Sequence, residues 1–215
     1  MTREFIEDFT ERRRQVRHYL SVVLSVEKGT AAGAATRSQN RRLMTLRGGT
    51  FLLLYNLVEA SMRGAVEAIH DEITITSTPF DKLSDSLRRE VVRLFKNTAD
   101  PQMYATKDVP AEFVSLALSY SVKMSGSVDA KSIRSFGKIY GFSCQTDHAK
   151  TSGGADLLSI KSNRNDLAHG LKTFEEVGRN YTARDLIDIT RRSTQFMSEI
   201  LANIDTFLEK AAYVA

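Results

Sequence analysis

The chain predicts an all-α bundle folded as one domain over residues 1–215, with long N-terminal, central and C-terminal helices. Three observations carry that prediction. Apolar residues recur with a helical period throughout. The 215 residues, 42% of them apolar, can bury one substantial core. No internal repeat, low-complexity tract or domain boundary interrupts the pattern.

The elements follow in order. Phe5, Phe9, Val16, Tyr19/Leu20 and Val23/Leu24 mark a first amphipathic helix over about 2–27. A stretch rich in Gly, Ala and Ser, 28–40, predicts a loop. A second helix, about 41–71, aligns Leu43, Leu46, Phe51, Leu54, Leu57/Val58, Met62 and Val66/Ile69. It is apolar over much of its girth near 51–58, which suits the centre of a bundle. Ile73-Thr74-Ile75-Thr76 is a candidate short extended piece, and Pro79 after it is a good first helical residue. Shorter helices are expected over about 80–97, 110–120 and 129–140, separated by Asp100-Pro101, Val109-Pro110 and Gly126. Another helix should start after Gly153-Gly154 and end at His169-Gly170. The last opens at Thr182, where Thr182-x-x-Asp185 matches a capping box, and carries Leu186, Ile189, Phe196/Met197, Ile200, Ile204 and Phe207.

Composition narrows the function classes. Cys144 is the only cysteine, so no intrachain disulfide can form and a structural zinc site is not expected; spaced four from His148, it lacks the further ligands such a site needs. The longest apolar run is far too short to span a bilayer, and the N-terminus lacks a signal-peptide core. A cytoplasmic setting without membrane contact follows as the expectation. Net charge is +4, unevenly placed: residues 1–50 hold ten Lys/Arg against five Asp/Glu. The clusters Arg12-Arg13-Arg14 with Arg17, and Arg37, Arg41, Arg42 and Arg47, suit a polyanion such as RNA. Arg13, Arg14, Arg41 and Arg42 are the candidate RNA contacts. The same clusters also read as a solvated helix face paired to Glu7, Asp8 and Glu11.

One stretch reads as chemistry: Arg164-Asn165-Asp166-Leu167-Ala168-His169-Gly170. On a helix, Asn165 and His169 lie about 40° apart and share a face. Arg164 is about 140° from His169, but its long arm can curl over the same edge. Arginine binds phosphate, and imidazole is the side chain that moves protons near neutral pH. RNA carries its own nucleophile, the 2′-OH, so cleavage needs a base, an acid and donors for the crowded phosphorane. His169 can move the proton, Arg164 can brace the phosphoryl oxygens bidentately, and Asn165 can orient the imidazole or the phosphate. No Asp/Glu/His cluster suggests a pair of catalytic metals, so neither a metal nor another cofactor is expected. Arg13 with His18 and Arg63 with His70 have similar spacings, but neither arginine is followed by an amide and neither histidine stands beside a glycine stop. Gly48-Gly49 and Gly153-Gly154 lack a phosphate-loop context and read as turn or helix-start residues. Glu59, with Arg63 at i+4, is open to two readings: a structural salt bridge, or a group that orients Arg164.

The stretch from Arg164 through Gly170 resembles the signature of the HEPN superfamily, small α-helical proteins of which many are RNases. Asn56-Leu57-Val58-Glu59-Ala60-Ser61-Met62-Arg63 resembles the family's second helix, whose acidic residue faces the active site. Residues 130–141 resemble the helix before the motif helix, and Phe174-Glu175-Glu176-Val177-Gly178-Arg179-Asn180-Tyr181 the C-terminal segment. The resemblance implies a HEPN-type endoribonuclease working as a homodimer, with Arg164, Asn165 and His169 catalytic and Glu59 and Arg63 in support. It also implies a toxin or antiviral-defence role and an antitoxin or defence partner. Leu171 departs from the pattern, standing where one subgroup carries a tyrosine modified by its partner nucleotidyltransferase. Two rivals stay open: a non-catalytic HEPN module that binds RNA, nucleotide or a partner protein, and a helical interaction protein whose motif is only a helix end.

Overall fold

Three long helices frame the molecule. In the computed structural model, which describes residues 3–31, 36–98, 113–119, 124 and 127–215, these are α1 (Glu4–Ala31), α2 (Arg37–Ile75) and the last helix, Ala183–Glu209. Their directions follow from their contacts. Tyr19 of α1 donates to the Leu46 carbonyl of α2 at 2.8 Å, and Arg3 reaches Glu72 at 2.9 Å, so α1 and α2 run antiparallel. Polar clamps close both ends. Arg3 joins Glu72 of α2 to Asp205 of the last helix, and at the other end Glu27 pairs with Arg47 and accepts the Ala183 N–H. Between the clamps Phe51, Leu54, Leu57, Met62, Ile69 and Ile73 of α2 are fully buried, with Phe196 from the last helix.

α2 is longer than the sequence suggests, at 39 residues or about 58 Å of rise. It starts at Arg37 because Thr36 and Gln39 form a capping box, so the predicted loop over 28–40 shrinks from both sides, and α1 runs on through Gly29 to Ala31. At the other end the candidate extended piece 73–76 is not extended. Ile73 has no exposed surface, and its packing in the helix overrides the strand preference of a β-branched run. Gly48 and Gly49 are neither turn nor helix-start residues; they lie inside α2, where close neighbours explain their lack of a side chain. A Cβ on Gly48 would run into the Phe174 carbonyl, and one on Gly49 into the Tyr19 hydroxyl.

The single helix expected over 80–97 is two elements. Pro79 caps a short 3-10 turn, Phe80–Lys82, and α3 follows at Asp85–Thr98. Next come α4 (Phe113–Leu118), α5 (Ala130–Tyr140) and α6 (His148–Thr151). The expected separators Asp100-Pro101, Val109-Pro110 and Gly126 lie outside the described residues. Asp129 and Ser132 cap α5, and Gly141 ends it at φ 95°. The motif helix α7 is Asp156–Ala168, followed by α8 (Phe174–Gly178) and the long α9 (Ala183–Glu209), which opens with the predicted capping box between Thr182 and Asp185. Among the described residues there is no strand, only one isolated bridge between Leu83 and Val214, and no helix is long and apolar enough to cross a membrane.

Candidate functional site: the C-terminal end of the motif helix

α7 is fixed at its start by charge and at its end by backbone geometry. Arg192 of α9 grips Asp156 through two hydrogen bonds, 2.6 and 2.9 Å, in the partly buried fork that suits a planar guanidinium. Leu157 and Ile160 enter the core. One turn on, Lys161 pairs with Asp129, the cap of α5. Burial opposes the Asp129 carboxylate, but that ammonium and the Ser132 N–H outweigh it and hold its pKa below the usual range. At the far end Gly170 takes φ 67°, donating to the Leu167 carbonyl at 3.2 Å, while Leu171 donates to the Asp166 carbonyl at 2.8 Å. These two bonds are the Schellman pair, and they make His169 the last residue of the helix cap. Lys172 then pairs with Asp166 at 2.7 Å, and Thr173 opens α8 through a capping box with Glu176. The loop after His169 is thereby held at both ends.

Arg164 leaves this helix toward α2. Its guanidinium carbon lies 4.5 Å from the centre of the Tyr55 ring. Its Nη1 donates to Asn165 Oδ1 at 3.1 Å, and no described carboxylate pairs with it. Tyr55 is 2% exposed, and its hydroxyl accepts the Val128 N–H at 3.2 Å. Burial pushes the phenol pKa up and nearby Glu59 adds to this, while the Val128 N–H, Arg164 and Lys161 pull it down. Glu59 sits one turn beyond Tyr55 on α2 and faces Arg63 at 3.5 Å. The structure thus brings Arg164, Asn165 and the Tyr55–Glu59 face together. His169 is exposed, and its ring makes no hydrogen bond or ion pair with another described residue.

Tyr55 escaped the sequence reading, in which it falls within the apolar girth near 51–58. A signal existed in its placement one turn before Glu59, but nothing local pairs it with α7. Asn163 was missed too: its amide donates to the Ser159 carbonyl at 2.9 Å and to the Tyr181 hydroxyl at 3.0 Å, tying α7 to the chain after α8.

The other arginine–histidine pairs are not organised as sites. Arg13 lies over the Phe9 ring at 5.6 Å, and His18 is exposed. His70 is buried, with Nε2 2.9 Å from the Tyr140 hydroxyl, while Arg63 faces Glu59 instead. Cys144 donates weakly to the Ile133 carbonyl at 3.7 Å from a loop, and His148 opens α6. Among the described residues no three His, Cys, Asp or Glu side chains gather where they could hold a metal ion. Of the basic clusters, Arg12 pairs with Asp8 at 2.6 Å, Arg14 with Glu11 at 2.5 Å and Arg41 with Glu175 at 2.9 Å. Arg37, Arg41 and Arg42 line a shallow exposed depression at the start of α2.

The fold is all-α among the described residues, and its helix α7 carries Arg164-Asn165 and is capped by His169 with Gly170 after it. The particular family is named by its model: HEPN_MAE_28990-like HEPN matches residues 1–213, and the chain belongs to that family. No curated protein and no solved structure matches the chain.

Proposed function

We propose that the protein is a metal-independent endoribonuclease, a single HEPN domain over 1–215 that cuts RNA through its 2′-OH. One observation carries the reading: Arg164 is a half-buried cation with no carboxylate partner among the described residues, held beside an amide on the helix that ends at an exposed imidazole. A structural arginine in such a place would ordinarily be paired, because even partial burial costs an unpartnered charge some of its hydration. A phosphate would complete it.

In the proposed reaction an imidazole takes the 2′-OH proton as the O2′–P bond forms. Arg164 braces the phosphorane oxygens, and a second imidazole gives its proton to the departing 5′-oxygen. The products are a 2′,3′-cyclic phosphate and a 5′-OH. Each chain offers one motif histidine, so a twofold dimer that faces two motifs across one cleft supplies both acid and base. Leu158, 58% exposed and within about 20° of His169 around the helix axis, and Leu171, 72% exposed, support pairing through this face. Glu59 and Arg63 act in support, and Arg13, Arg14, Arg41 and Arg42 add RNA affinity. A single cysteine suits a reducing, cytoplasmic setting, and the family resemblance implies a toxin or antiviral-defence effector, held in check by an antitoxin or other partner protein.

The test is incubation of purified protein with total RNA in excess chelator, beside His169→Ala. Wild type should cut, and His169→Ala should lose about two to four orders of magnitude in rate with its helical content unchanged. His18→Ala, an exposed site, is the control. Binding without cutting by wild type would leave a non-catalytic RNA-binding module, and an equal loss in His18→Ala would move the chemistry elsewhere.

A further inference from the structure

An arginine can be held in place in two ways that differ in what they leave for a ligand. A carboxylate fixes the guanidinium but neutralises it and occupies the donors that would meet a phosphate. An aromatic face fixes the plane and leaves both the charge and the edges free. Arg164 is held the second way, over Tyr55 at 4.5 Å, and its one side-chain hydrogen bond among the described residues goes to the neutral Asn165 amide. Most of the five guanidinium donors therefore stay available. The nearest acid of the α2 face, Glu59, is turned to Arg63. The ring itself cannot drift: it is buried in the core, and the Val128 N–H holds its hydroxyl.

We propose that Tyr55 is a positioning residue of the motif, an aromatic platform that holds Arg164 flat and un-neutralised for the phosphate. It touches Arg164, not RNA. The proposal rests on the nuclease reading and adds a part of the site that comes from α2 rather than from the motif. It also links Arg164 to the segment before α5, because Val128 tethers the ring while neighbouring Asp129 pairs with Lys161 of α7.

The experiment compares Tyr55→Phe with Tyr55→Leu by three readouts. Arginine Nε–H resonances, with Arg164 assigned by its loss in Arg164→Lys, report the platform directly. Ring current should displace the Arg164 signal in wild type and Tyr55→Phe, and the displacement should vanish in Tyr55→Leu. Cleavage should fall no more than about threefold in Tyr55→Phe, which keeps the face, and about thirtyfold in Tyr55→Leu, the loss of one desolvated cation–π contact. Affinity for a 2′-deoxy oligonucleotide should weaken in Tyr55→Leu and in Arg164→Ala, with no further loss when the two are combined. Additive losses in the double variant would make Tyr55 an ordinary core residue and overturn the proposal. So would a wild-type Arg164 resonance in the position of an exposed arginine, or equal cleavage by the Phe and Leu variants. A wild-type protein that neither cuts nor binds RNA would sink the nuclease reading itself, an outcome distinct from these because the resonance still reports whether the platform exists.

Discussion

Two glycines with equally open surroundings should respond to alanine in opposite directions. A Cβ at Gly29 or at Gly170 would meet nothing within 4 Å, so neither substitution is a question of space. Gly29 lies inside α1, where alanine gains up to about 1 kcal/mol over glycine. Gly170 sits at φ 67°, where an L side chain costs about 1–2 kcal/mol. For a protein of this size each kcal/mol moves the melting temperature by about 2–4 °C. Gly29→Ala should therefore raise it by up to a few degrees, less the fraying of a position near the helix end. Gly170→Ala should lower it by about 2–8 °C, and Gly170→Asn by less, because asparagine tolerates this backbone. Function separates them further. The strain at 170 can be relieved by opening the bonds from Gly170 to Leu167 and from Leu171 to Asp166, and those bonds hold the His169 backbone. RNA cleavage should then drop in Gly170→Ala at temperatures where the fold is intact, while Gly29→Ala cuts normally. Thermal denaturation and initial cleavage rates check both. A Gly170→Ala protein as stable as Gly29→Ala would refute the left-handed cap and the placement of His169 built on it.

The remaining expectations concern the dimer, the basic surface and the buried histidine. Heterodimers of wild-type and His169→Ala chains should be nearly inactive if two motifs share one cleft; half activity would sink the shared cleft and leave the nuclease standing. Charge reversal at Arg41 and Arg42 should weaken RNA binding and flatten its salt dependence with little change in single-turnover rate at saturating RNA. The effect should be smaller than two free charges would give, since Arg41 is already paired with Glu175; an unchanged salt slope would reduce the region to solvated surface. Burial is the main influence on His70 and lowers its pKa from 6.5, against the Leu118 carbonyl, Glu90 and Asp71. The folded state thus favours the neutral ring, so its contribution to stability is whole above about pH 6.5 and falls below it, by at most about 1.4 kcal/mol per pH unit. Melting temperatures between pH 5 and 7 should fall more steeply in wild type than in His70→Phe; equal slopes would count against this account.

The long helices were legible because a 3.6-residue apolar period over twenty or more positions has no other reading. Their ends were less so. Gly29 falls in the expected loop and Gly48 and Gly49 read as turn or helix-start residues, yet all three lie inside helices. A glycine costs a helix only about 1 kcal/mol, and at Gly48 the close backbone of α8 leaves no room for anything larger. The β-branched run 73–76 misled for a related reason, since local preference yields where a residue such as Ile73 is fully buried. The motif end was legible in detail: Gly170 after His169 announces a left-handed stop, and the chain makes one. Tyr55 was not, because its meaning lies in a contact with a residue far along the chain, and sequence periodicity reports which residues are inside but not which inside residues meet.

That limit explains why α2 matters more to the site than its own motif-free sequence suggests. Gly48 and Gly178 let α8 lie against α2 on bare backbone: a Cβ on Gly178 would strike the Met44 carbonyl, as one on Gly48 would strike that of Phe174. α8 in turn anchors the loop that follows His169. About two turns along the same helix, Tyr55 sits beneath Arg164. Both ends of the motif are therefore referenced to one rigid element, the histidine through α8 and the arginine through an aromatic face. The spacing of four residues between Arg164 and His169 sets their separation along α7, but α2 decides what each can reach. An arginine and a histidine at that spacing elsewhere in this chain, as at Arg13 and His18, have no such second reference, and there the arginine rests on Phe9 of its own helix.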